Sequence, residues 1–114
     1  MNFNNSVIDW EQVDNVISSS NRILLTTHEN PDGDGLGSEV AMYHHLCDEK
    51  KDVKIINCSI TPSMFDYINE GGCIETYNES YHLEWLKRCE LVIVFDVGDF
   101  NRTRNVKEAC LLYT

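Results

Sequence analysis

The chain has 114 residues, of which 42% are hydrophobic and 25% charged. That is enough for one compact domain with one core, and too ordinary a composition for a disordered or fibrous class. Nineteen acidic against nine basic residues leave a formal net charge of −10, which excludes a surface that holds long nucleic acid by neutralising phosphates.

The sequence holds no run of about 18 apolar residues, and its opening MNFNNSVIDWEQ lacks the basic start and apolar stretch of a secretory signal. The expectation is a cytoplasmic chain with no membrane partner. Cysteines at positions 47, 58, 73, 89 and 110 stand singly with no CxxC pair, so reduced, mostly buried thiols are expected.

In chain order, Ile8, Trp10, Val13, Val16 and Ile17 recur with the spacing of one helical face, and the polar residues 18–21 end that helix. Residues 22–27 (RILLTT) form a short apolar run between polar flanks, the pattern of a strand buried in a parallel sheet. HENPDGDGLGSE, residues 28–39, follows directly. Over residues 35–50, Leu36, Val40, Tyr43, Leu46 and Cys47 predict a second helix, with Lys50 and Lys51 where cations suit its carboxyl end. Residues 52–58 (DVKIINC) read as the next strand. Thr61-Pro62-Ser63 starts a short helical turn through Phe65 and Ile68, which Gly71-Gly72 breaks. A short strand over 73–77, a helix over 81–88 and a strongly apolar strand over 90–97 (ELVIVFDV) follow. Strands alternating with helices predict an α/β fold, a Rossmann-like three-layer unit with a mainly parallel sheet.

Two acidic segments end strands in this scheme: the loop of residues 28–39, and Asp96 with Asp99. Ligands of open α/β sheets bind outside the carboxyl ends of strands, so both segments face one crevice if their strands are neighbours. His28, Asp32, Asp34 and Asp96 then offer one imidazole and three carboxylates, a set suited to manganese or a similar divalent ion. Two ions about 3.5–4 Å apart could share a bridging carboxylate and act on phosphorus.

Simpler readings explain less. A bare turn with solvated acids accounts for PDGDG, but not for the histidine four residues before Asp32, the strand before it or the helix after it. An EF-hand loop fails because Leu36 holds a ligand position. Gly33, Gly35 and Gly37 lack the spacing of a dinucleotide fingerprint, and no Gly-Lys-Ser/Thr marks a P-loop. They are expected to let the backbone turn closely around a metal site.

The string THENPDGDGLGS, residues 27–38, resembles the first motif of the DHH phosphoesterase superfamily, in the form found in bifunctional oligoribonuclease and phosphoadenosine-phosphate phosphatases. Residues 94–99 (VFDVGD) with Arg102 resemble its second motif. The resemblance implies two manganese ions, or magnesium in their place, with His28 and Asp32 on one, Asp34 on the other and Asp96 bridging. Asp32, Asp34 and Asp96 are then the catalytic carboxylates, and Ser38, Asp99 and Arg102 serve as supporting or phosphate-binding residues. It also implies hydrolysis of short oligonucleotides and of 3′-phosphoadenosine 5′-phosphate.

The Asp-His-His triplet that names the family, and its substrate-binding domain, are absent from residues 1–114. A truncated DHH domain is therefore expected: weak in manganese binding and hydrolysis, loosely packed after Arg102, and prone to homo-oligomers through apolar surface. A manganese-dependent pyrophosphatase or cyclic-dinucleotide phosphodiesterase relative, and a non-catalytic metal- or nucleotide-binding module, stay open beside this reading. His44, His45 and His82 are expected in structural or solvent-facing roles, since neighbours on a helix diverge by about 100°. Trp10, Trp85 and the tyrosines are expected to pack rather than stack on bases.

Overall fold

The computed structural model describes residues 8–112. Its strands β1 (Arg22–Thr27), β2 (Asp52–Asn57), β3 (Ile74–Thr76) and β4 (Leu91–Phe95) form one sheet in the order β3-β2-β1-β4, every pair parallel. Helices α1 (Trp10–Ser19), α2 (Gly33–Asp48), α3 (Glu79–Leu86) and α4 (Asn105–Leu111) flank it.

Side chains alternate across a strand, and β1 feeds both faces. Ile23 and Leu25 pack with Leu36 and Leu46 of α2 and with Val53, Ile55 and Ile74. On the other face Leu24 packs with Ile56, Leu86, Val106 and Ala109, under α3 and α4. This is the α/β three-layer unit expected from the alternating pattern.

Local chemistry sets the boundaries. Helix α2 begins at Gly33, two residues before the start at residue 35 expected from the apolar spacing, because the Asp32 side chain accepts the Gly35 N–H at 3.1 Å and caps it. It ends before Lys50, whose φ of 65° is the left-handed conformation that stops a helix. Gly71, at φ 79°, breaks the short turn that follows β2.

Several expectations change. Residues after Arg102 are not loosely packed, since Thr103, Val106 and Ala109 are buried; α4 lies beside α3 on a face that β1 and β2 keep apolar. Conversely, no residue of α1 is buried and Trp10 is 58% exposed, so this tryptophan does not pack as expected. An amphipathic face is buried only where neighbours flank it, and beneath α1 lies an open groove of about 510 Å³ floored by Met42, Leu91 and Ile93. The five thiols are free, Cys47 exposed and the others half-buried rather than mostly buried. No helix among the described residues is long and apolar enough to cross a membrane.

Candidate metal centre

Strand pairing positions the site. Thr27 stands opposite Phe95 in the β1–β4 register, so His28 and Asp96 leave the sheet side by side at its carboxyl end. His28 Nε2 lies 3.6 Å from Asp96 Oδ2. Asp32, capping α2, joins them: one ligand atom from each of His28, Asp32 and Asp96 lies within 4.8 Å of the others. The imidazole is buried and the two carboxylates are exposed, which leaves the group open on its solvent side.

The other ring nitrogen settles the tautomer. His28 Nδ1 is 2.6 Å from the Glu29 carbonyl oxygen. A carbonyl can only accept, so Nδ1 carries a hydrogen, and the tautomer that leaves Nε2 unprotonated turns its lone pair to the carboxylates. Metal-ligating histidines are oriented in this way. The Gly35 N–H above all, opposed by desolvation and helped by a side-chain hydrogen bond with Asp96, holds the Asp32 carboxyl below its ordinary range. One imidazole nitrogen beside two carboxylates, one of them held ionised, fits a divalent metal ion.

Two segments, one at the end of β2 and one after β4, hold backbone N–H groups at and after the end of β1. The Thr27 N–H donates to Asn57 Oδ1 at 3.1 Å, the Glu29 N–H to the Arg102 carbonyl at 2.9 Å and the Asn30 N–H to Ser59 Oγ at 3.0 Å. The Glu29 carboxylate also pairs with Arg104 at 2.5 Å and Arg102 at 3.4 Å. Chiefly through the Arg104 hydrogen bond, this lowers its pKa. At the end of β4, Asp96 adopts φ 59°, a left-handed turn that aspartate tolerates at a cost on the order of 1 kcal/mol.

The other residues singled out from the sequence lie around this group rather than in it. Asp34 is exposed in the first turn of α2 and stands outside the close set. Ser38 is exposed farther along the same helix. Asp99 accepts the Asn101 N–H at 2.9 Å and caps the one-turn helix Phe100–Thr103, while the Arg102 guanidinium is engaged with Glu29.

The family model described as "DHH family, N-terminal domain" matches residues 22–112, nearly the whole chain. The chain belongs to the DHH family. No curated protein matches it in sequence. Among solved structures, an exopolyphosphatase-related protein from Bacteroides fragilis superposes with a TM-score of 0.81 at 19% identity. The match covers 92% of this chain and 32% of that one, so this DHH chain spans about a third of that protein's length.

Some residues at this DHH site escaped the sequence reading. Glu39 and Asn57 are fully buried beneath the loop, with Asn57 Nδ2 donating to Glu39 Oε1 at 2.9 Å. Desolvation pushes the Glu39 carboxyl up to about 8, against the Asn57 hydrogen bond. The signal was present: an acid three residues after Leu36 and seven before Leu46 sits on the apolar stripe of α2. His82 is also buried. It accepts the Asn78 N–H on Nδ1 at 3.0 Å, so its Nε2–H donates to Glu75 at 3.0 Å, a structural role. His44 and His45 lie exposed on α2.

Proposed function

We propose that this chain is the metal-binding part of a manganese-dependent phosphoesterase acting on short oligonucleotides and on 3′-phosphoadenosine 5′-phosphate. The supporting observation is the meeting of His28, Asp32 and Asp96 within 4.8 Å at the carboxyl end of two neighbouring strands, in a DHH-family domain. In this reading His28 and Asp32 would hold one ion and Asp34 a second, with Asp96 serving both, and magnesium could take the same ligands.

When bound, the divalent ions supply Lewis acidity for activating water and neutralising charge at phosphorus. The chain's own groups prepare the site. The Nδ1–H bond to the Glu29 carbonyl keeps the His28 ring oriented, and the lowered Asp32 pKa keeps that carboxylate ionised at neutral pH. Helix α2 directs its positive end toward Asp32, where a phosphate oxygen is also favoured. Pairing with Arg102 and Arg104 offsets the charge of Glu29, which would otherwise repel an anionic substrate.

Titration calorimetry with Mn²⁺ on the native chain, His28→Ala and Asp96→Asn tests the metal reading. Saturable binding is expected in the native chain and its loss in both variants; equal behaviour of all three would overturn it. Phosphate release from 3′-phosphoadenosine 5′-phosphate under saturating manganese is expected to exceed that from pyrophosphate. Pyrophosphate cleavage alone would move the chain to the pyrophosphatase branch.

A further inference from the structure

Thr27, the last residue of β1, touches the neighbourhood of each residue in the close group. His28 is the next residue. The Thr27 hydroxyl donates at 2.8 Å to the carbonyl of Phe95, which precedes Asp96. A Cβ on Gly35 would stand 2.7 Å from the Thr27 hydroxyl oxygen, so α2 approaches this side chain as closely as a glycine permits. The same Gly35 supplies the N–H that holds Asp32. Thr27 is itself fixed from below: its N–H donates to Asn57 Oδ1, and Asn57 Nδ2 donates to Glu39 Oε1. All three residues are fully buried.

We propose that the buried chain Glu39–Asn57–Thr27 is a positioning device that sets the spacing of His28, Asp32 and Asp96. The inference rests on the metal-centre reading and adds the residues that act through the ligands. A role in stability alone does not account for the design. Glu39 Oε2 is buried without a hydrogen-bond partner, a cost that an apolar residue on the α2 stripe would avoid. The parallel ladder already joins β1 to β4, so the Thr27 hydroxyl is not needed to pair them. Because burial pushes the Glu39 carboxyl toward its neutral form, glutamine is its conservative replacement.

The test is a Mn²⁺ titration followed by electron paramagnetic resonance, with a thermal melt of every variant. Thr27→Val and Glu39→Leu are expected to weaken manganese binding by roughly 10–100-fold and to alter the bound-ion spectrum, the scale seen when a ligand's supporting partner is removed. Thr27→Ser and Glu39→Gln are expected to restore most of the affinity. Should Glu39→Leu fail to melt cooperatively, Thr27→Val decides, since it exchanges one hydroxyl for a methyl. Native binding by Thr27→Val, or no rescue by Thr27→Ser, overturns the proposal if His28→Ala has lost binding. If the native chain and His28→Ala behave alike, the metal reading itself fails and this inference with it.

Discussion

Strands β1 and β4 each deliver one residue to the site, yet they sit in unlike surroundings. Every residue of β1 from Ile23 to Thr27 is buried, whereas all five of β4 are only half-buried although LVIVF is the more apolar sequence. Neighbours make the difference. β1 lies between β2 and β4 with packed helices over both faces, while β4 ends the strand order and has α1, none of whose residues is buried, along its flank. The contrast carries into the site. His28 emerges from a buried interior, and Asp96 from an edge where a left-handed turn aims it.

One substitution made on both strands exposes that difference most strongly. Leu25→Ala, fully buried in β1, is expected to destabilise the chain by about 2–5 kcal/mol, and Leu91→Ala in β4 by about half as much because less of its surface leaves water. Urea denaturation measures both, and equal losses would show that β4 is as enclosed as β1.

A second probe uses the buried acid behind β1. Glu39 has an ordinary value of 4.5 and a folded value of about 8, so across that interval the folded chain keeps a proton that the unfolded chain has lost. Stability from this group is complete below about 4.5 and declines as pH rises toward 8, by about 1.4 kcal/mol per unit at most. The shifts of Asp32, Glu29 and Glu90 run downward, so their contributions are lost instead as pH falls. Subtracting the Glu39→Gln stability profile from the native one isolates the declining limb, a few kcal/mol in all; superimposable profiles would show Glu39 to be ionised in the fold.

The smallest effects come from two glycines of α2. Gly35→Ala forces a methyl against the Thr27 hydroxyl and is expected to cost about 1–3 kcal/mol. Gly37→Ala meets nothing within 4 Å and is expected to stabilise the helix by about 0.5–1 kcal/mol. A matching sign for the two, read from melting temperatures, would remove the close approach at β1 as the reason for Gly35.

Much of this was legible in the residue order because it depends on local periodicity. The alternation of apolar runs with helical spacing established the parallel α/β unit, and a histidine and aspartates placed just after strands marked the crevice. The use of Gly35 and the neutrality of Glu39 were not legible in that way. A glycine's need for space, or an acid's neutrality, depends on which side chain from a distant strand lies opposite, here Thr27 and Asn57.

The sequence could not separate Asp32 from Asp34 either, since both lie in one loop of turn formers. The fold distinguishes them by making Asp32 the cap of α2 and leaving Asp34 in its exposed first turn, where successive side chains swing by about 100°. Sequence alone therefore determined the elements and the chemical set. Tertiary structure decided that β4 pairs with β1, that His28, Asp32 and Asp96 are the residues that meet, and that α1 stays exposed, because those outcomes follow from strand order and from what lies across each face.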